Sequence, residues 1–231
     1  IHQVLVYLQT ARRIHYEHIA ASLLSFSDSL EGNLLSAPCV SVDIDRRVDG
    51  ASDYLELIDS CRPVADLGVP VVLYNVPGRS AKEIPLSVVA RLAQHPNVCA
   101  IKEAAGSVDR VSAIRQIAPD LTILSGDDGL TLPMIAVGAE GVISVCSNVI
   151  PREMSQMVAY ALEGDYAAAR TLHETYYPLF RDMFCDTNPI PVKAALAMMG
   201  RIRPVYRLPL CEPDAANTEL IRKTLTNLNL I

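Results

Sequence analysis

The sequence predicts an α/β fold, a parallel sheet with helices packed over it, followed by a helical C-terminal extension. Short β-branched apolar runs alternate with helical stretches four times between residues 69 and 165. Repeated βα units of this kind form a parallel sheet, because each strand must cross back over one face before pairing again. Beyond residue 165 the strand signals stop and three helical stretches follow one another. A doubly wound sheet and a (β/α)8 barrel both fit this alternation.

The elements follow in order. Val69 to Tyr74 is an apolar, β-branched run and reads as a buried strand. Pro85 opens a helix with Leu86, Val89 and Leu92 on one face. Asn97 to Lys102 is the second buried strand, and Val108, Val111, Ile114 and Ile117 form the apolar stripe of the next helix. Leu121 to Leu124 is the third strand, with a helix over about 129–137 that contains Pro133. Gly141 to Val145 is the fourth strand; Pro151 starts the helix after it and Gly164 is placed to end it. The extension comprises helices at 166–183, at 189–199 closed by Gly200, and at 214–229 with Leu220, Ile221, Leu225 and Leu228 as its apolar face. The first 61 residues are less regular, with candidate strands at 3–8 and 37–42 and a candidate helix at 16–30.

Composition removes several function classes. Half of the 231 residues are hydrophobic and a fifth are charged, as in an ordinary globular protein with a substantial core. The formal net charge is −6 and no basic block exceeds two residues, which gives nucleic acid or an anionic membrane little to bind. No apolar run reaches the roughly 18 residues of a membrane span. The start of the chain shows no signal pattern and no initiator Met, so we expect a cytoplasmic protein and a processed or partial chain. The six cysteines, none in a C-x-x-C pair, read as reduced thiols.

In parallel α/β folds the ligand sits at the carboxyl ends of the strands. Those ends carry Tyr74, Lys102, Ser125-Gly-Asp-Asp128, and Ser144-Val145. A lysine closing an apolar strand has a specific use. A partly desolvated ammonium gives up its proton more readily, and the neutral amine attacks a ketone to form a Schiff base. Making and breaking that adduct moves protons, and a phenol on the adjacent strand is placed to move them. The ordinary alternative is that Lys102 extends into solvent and Tyr74 caps the core. Arg79, beyond Pro77 and Gly78, sits where a turn would aim its guanidinium over the strand ends to grip a carboxylate; otherwise it is a solvated loop residue. Asp127 and Asp128 are adjacent and so rarely converge on one ion; we read them as a helix N-cap. His15 and His18 lack an H-E-x-x-H frame, and no metal site is expected. The absence of G-x-G-x-x-G and G-x-S-x-G leaves dinucleotide and serine-hydrolase readings without support. No cofactor is expected.

Two runs, Tyr74-Asn-Val-Pro-Gly-Arg79 and Ile101-Lys-Glu-Ala-Ala-Gly106, resemble the paired signature of the dihydrodipicolinate synthase family. Leu124 to Asp128, Gly141 to Val145, Asn188 to Lys193 and Arg207 to Leu210 resemble further runs of that family in the same order. The resemblance implies a (β/α)8 TIM-barrel with a C-terminal helical extension, assembled as a homotetramer. It implies condensation of pyruvate with aspartate-4-semialdehyde to 4-hydroxy-tetrahydrodipicolinate, on the route to diaminopimelate and lysine. On this resemblance Lys102 forms the imine, Tyr74 relays protons, Arg79 holds the semialdehyde carboxylate, Ile143 contributes backbone to the pyruvate site, and Gly141 lets the chain pass close to it. The alternatives are an N-acetylneuraminate lyase or 2-keto-3-deoxy sugar acid aldolase on the same scaffold, or a catalytically impaired remnant. The family's Gly-Thr-Thr-Gly-Glu loop and its second tyrosine have no counterpart in residues 1–61. The N-terminal half is therefore expected to be truncated or divergent. We divide the chain into an atypical N-terminal part of the barrel at 1–61, the C-terminal half of the barrel at 62–165, and the helical extension at 166–231.

Overall fold

The computed structural model describes residues 65, 66 and 70–231. The expected strands at 3–8 and 37–42, the helix at 16–30, His15, His18 and the question of the missing loop lie outside the described residues. The chain divides into two compact units. Among the described residues the first holds 65–124 with 137–140, and the second holds 125–136 with 141–231.

In the first unit, β1 (Val71–Asn75) is followed by a one-turn helix α1 (Pro77–Ser80) and by α2 (Leu86–Leu92). Then come β2 (Val98–Glu103), α3 (Val108–Ile117) and β3 (Thr122–Ser125). β1 and β2 pair in parallel, with Tyr74 opposite Lys102 and Asn75 opposite Glu103. β3 is buried along its whole length, whereas β1 and β2 alternate buried with half-buried or exposed positions. Ile101 and Ile123 are completely enclosed, as are Val89 of α2 and Val111 and Ile114 of α3. Ser107 caps α3 by accepting the Arg110 N–H at 3.4 Å. The buried face of α3 is Arg110, Val111 and Ile114, while Ile117, expected in the apolar stripe, is exposed. Residues 137–140 close this unit: the Glu140 N–H donates to the Ile123 carbonyl at 2.8 Å, and Arg115 pairs with the Glu140 carboxylate at 2.8 Å.

In the second unit, a 3-10 turn at Asp128–Leu130 leads into α4 (Thr131–Ala136). Pro133 stands third in α4, where its missing N–H is among the donors a helix start leaves unpaired in any case. β4 is confined to Gly141–Val142, shorter than the expected 141–145. The physical reason is a competing set of acceptors. Asp128 Oδ2 accepts the N–H groups of Val145 and Cys146 at 3.2 and 3.0 Å, and Ser144 Oγ accepts that of Ser147 at 2.8 Å. These bonds draw the chain out of a sheet ladder and into a 3-10 turn at Cys146–Asn148. The Ile143 N–H still donates to the Ser125 carbonyl at 2.8 Å. In the first unit the strand order is β1-β2-β3.

The helices α5 (Pro151–Leu162), α6 (Tyr166–Asp182), α7 (Ile190–Met198) and α8 (Ala215–Asn227) complete this unit. Their starts use the signals the sequence shows: Pro151 in the first turn of α5, Asp165 capping α6 and Asp214 capping α8. Gly164 and Gly200 follow α5 and α7 with φ of 86° and 71°, a conformation glycine adopts without cost. Pro178 lies inside α6 without ending it. An internal proline costs about 3 kcal/mol, but Leu179, Phe180 and Met183 just beyond it are buried, each contributing about 1.5–3 kcal/mol. Among the described residues no helix is long and apolar enough to cross a membrane. Cys146, Cys185 and Cys211 are free thiols.

Candidate active site

Tyr74 and Lys102 stand at equivalent points of neighbouring parallel strands, so their side chains emerge on the same face. Both are half-buried. The Lys102 Nζ lies 4.2 Å from the centroid of the Tyr74 ring, an arrangement in which the ring face attracts an ammonium. A primary amine is thereby held beside a phenol-bearing ring at the carboxyl ends of two strands. Nucleophilic attack on a carbonyl, with protons moved to and from the adduct, can be carried by such a pair.

One residue further along each strand, the side chains point to the opposite face. Asn75 and Glu103 are both completely buried there. Asn75 Nδ2 donates to the two Glu103 carboxylate oxygens at 2.7 and 3.0 Å. Arg110 Nε donates to Glu103 Oε2 at 2.8 Å, and the Ala105 N–H donates to Oε1 at 2.9 Å. Burial pushes the Glu103 carboxyl above its ordinary range, opposed by Arg110, Asn75 and the Ala105 N–H. A second guanidinium nitrogen of Arg110 pairs with Glu83 Oε1 at 2.6 Å, and a third donates to the Ile84 carbonyl. The Ile84 N–H donates to Asn75 Oδ1 at 2.9 Å. A carboxylate in a site without solvent needs such a set of donors, since an unpaired buried charge costs several kcal/mol or more.

Arg79 stands in α1, exposed, in the segment between Asn75 and Ile84. Ala81, with φ of 56°, ends that helical turn. Gly141 and Ile143 belong to the second unit. Gly141 is buried, Ile143 is half-buried, and its N–H bonds to Ser125 as described. The expected N-cap role of Asp127 and Asp128 is not what forms. Asp127 makes no capping bond, and Asp128 is enclosed and binds the Val145 and Cys146 N–H groups across 17 and 18 residues. It therefore fixes the backbone just beyond Ile143. Its other oxygen, Oδ1, has no hydrogen-bond partner, and burial raises its carboxyl above the ordinary range against the donors Ser144, Cys146 and Val145. Burial likewise pushes the Cys146 thiol well up, with the Asp128 charge adding to it. Among the described residues no group of three His, Cys, Asp or Glu side chains is arranged to hold a metal ion.

The sequence reading found Tyr74, Lys102 and Arg79 but not Asn75, Glu103 or Arg110. The available signal was alternation. A polar residue next to Tyr74 and an acid next to Lys102 must face the covered side of the sheet, where each needs a partner. Arg110, adjacent to the stripe residue Val111, supplies that partner.

The fold and the strand-end residues define an α/β protein with an amine and a phenol paired at the carboxyl ends of adjacent parallel strands. The chain belongs to the dihydrodipicolinate synthetase family, whose sequence profile matches residues 52–228. The 4-hydroxy-tetrahydrodipicolinate synthase of Methanospirillum hungatei is 44% identical over 172 residues, covering 74% of this chain and 59% of that protein. That of a Cyanothece species is 41% identical over 217 residues, covering 94% and 71%. The solved chloride-inhibited dihydrodipicolinate synthase of Acinetobacter baumannii, complexed with pyruvate, is 36% identical with a TM-score of 0.75, covering 77% of this chain and 62% of that one. The chain spans about three-fifths of the length of the first curated relatives it matches. The fold is accordingly α/β of the (β/α)8 TIM-barrel type.

Proposed function

We propose that this chain carries the pyruvate-dependent lyase chemistry of its family. Pyruvate and aspartate-4-semialdehyde would condense through a lysine Schiff base to 4-hydroxy-tetrahydrodipicolinate, in diaminopimelate and lysine biosynthesis. The observation that carries the reading is the placement of the Lys102 amine over the Tyr74 ring at the strand ends. The neutral amine of Lys102 attacks the ketone carbon of pyruvate. The carbinolamine loses water to give the imine, and loss of a methyl proton gives an enamine whose carbon attacks the aldehyde of the second substrate. The Tyr74 phenol gives and takes protons in the carbinolamine steps. Arg79, exposed in α1, holds the semialdehyde's carboxylate. By the family resemblance alone, Gly141 and Ile143 would supply backbone that binds pyruvate. The pyruvate complex of the Acinetobacter relative supports pyruvate as the first substrate. Arg79 favours the carboxylate-bearing aldehyde over a sugar acid, which needs groups that bind hydroxyls. The chemistry needs no cofactor, and we assign the chain to the cytoplasm as a homotetramer, as its family resemblance implies.

Borohydride reduction tests the assignment. Incubation with pyruvate and borohydride should fix a pyruvate adduct on the peptide carrying Lys102. Lys102→Ala should abolish it, and so should Lys102→Arg, because a guanidinium stays protonated. An adduct on Lys193 instead would remove Lys102 from the role.

A further inference from the structure

The buried polar cluster behind Lys102 does more than satisfy itself. Both backbone groups of Ile84 are taken by it: the N–H by Asn75 Oδ1 at 2.9 Å, the carbonyl by Arg110. Asn75 ends β1 and Ile84 lies nine residues later, so a single side chain closes the segment between them into a ring. Arg110 fastens the same end of the segment twice, through Ile84 and through the Glu83 carboxylate at 2.6 Å. Glu103 is the fixed point on which both clamps rest, bonded to Asn75 and to Arg110 while wholly enclosed. Of the two cationic side chains in the enclosed segment, Lys82 lies next to the anchored end and Arg79 stands near the middle, in a helical turn of only four residues. So short a helix does not hold itself together, and its placement depends on how its two ends are anchored.

We propose that Asn75, Glu103 and Arg110 are positioning residues that set Arg79 for the carboxylate of the second substrate, while imine formation at Lys102 proceeds without them. The proposal rests on the lyase reading given above. It assigns different steps to the two faces of the strand ends. Tyr74 and Lys102 handle the keto acid on one face. From the other face, Asn75 and Glu103 hold the segment that handles the aldehyde's carboxylate.

The test uses Asn75→Ser, which removes the Ile84 acceptor and the donors to Glu103, and Arg110→Lys, which keeps the charge but can reach fewer of the three acceptors. In both, the KM for aspartate-4-semialdehyde should rise by about tenfold to a hundredfold, the range that a misplacement near 1 Å produces. The rate of pyruvate trapping at Lys102 should stay within about twofold of the parent. Combining Asn75→Ser with Arg79→Ala should be no worse in semialdehyde KM than Arg79→Ala alone, because the clamp acts through Arg79. Equal losses in trapping and in semialdehyde KM, or additive losses in the double variant, would overturn the proposal in favour of a general structural role. Hydrogen exchange at the Ile84 N–H supplies a readout free of catalysis. It should be slow in the parent and fast in Asn75→Ser, and unchanged exchange would refute the clamp. If the parent traps no pyruvate, the lyase reading fails and the assignment to Arg79 falls with it, whereas the exchange result still decides the clamp.

Discussion

Tyr74→Phe separates the two things that Tyr74 brings to Lys102. The ring lies 4.2 Å from the Lys102 Nζ and the substitution keeps that ring, so the cation–π contact, about 0.5–1 kcal/mol at a partly exposed site, survives. The neighbouring Asn75 faces the other side of the sheet, so its bonds to Glu103 and Ile84 are untouched. Only the phenolic hydroxyl is lost. A general acid–base group contributes ~10²–10⁴ in rate, a barrier change of about 2.7–5.5 kcal/mol. We therefore expect the condensation rate, measured at saturating concentrations of both substrates, to fall by that factor, with unfolding free energy changed by about 1 kcal/mol or less. Tyr74→Leu, which removes the ring as well, should lose only a few-fold more, the size of the missing cation–π contact. Retention of the parent rate in Tyr74→Phe would show that protons reach the adduct through another group. A Tyr74→Leu defect a hundredfold deeper than that of Tyr74→Phe would show that the ring, rather than the hydroxyl, is what the chemistry needs.

Two further outcomes concern stability. Thr224→Val keeps the shape of a buried side chain in α8 but removes the hydroxyl that donates to Asp182 Oδ2 at 2.5 Å; urea unfolding should register a loss of about 1.5–3 kcal/mol, as for a bond to a charged group, and an unchanged midpoint would mean that Arg181 alone satisfies Asp182. Asp128 has a native pKa raised by burial, so the native state binds more protons than the unfolded state between the ordinary carboxyl range and that raised value. Its contribution to stability is fully present below the ordinary range and is lost as pH rises through the native value. Asp128→Asn should accordingly be most costly at low pH and become less so as pH rises; a defect that grows with pH would reverse the sign and refute the argument.

The fold was largely legible because its elements announce themselves locally. Apolar β-branched runs gave the strands, while Pro151, Gly164 and Gly200 marked helix starts and ends that the structure uses. Where the reading failed, a distant partner decided the outcome. β4 stops at Val142 because Asp128 takes the backbone donors of Val145 and Cys146, a contact that no window of neighbouring residues reveals. The apolar stripe at spacing three along α3 placed Ile117 inward, yet the structure exposes it and buries Arg110. The acid that draws Arg110 inward, Glu103, sits on another element. For the candidate site the same division holds. Lys102 and Tyr74 were legible because a polar group at the end of an apolar strand is conspicuous. Asn75 and Glu103, one position on, look like the first residues of solvated loops.

The register of β1 against β2 connects these two pairs. Val71 pairs with Val98, and uniform pairing from there would set Tyr74 against Ile101 and Asn75 against Lys102. The ladder instead shifts between Val71 and Val72, so that Val72 meets Ala100, Tyr74 meets Lys102 and Asn75 meets Glu103. A one-residue slip in a strand exchanges the residues that face each side, so a different register would separate the amine from the ring. The apolar part of β2 offers little to choose between registers, since Ala100 and Ile101 are both buried. The choice is made by the polar pair. Only in the observed register can Asn75 donate to both oxygens of Glu103 while Arg110 completes the carboxylate's shell. In the alternative, Glu103 would be left enclosed with fewer donors, at a cost of several kcal/mol. The buried face of the strand ends thus fixes which residue stands beside Tyr74 on the other, and the position of Lys102 follows from a hydrogen-bonded pair on the opposite side of the sheet.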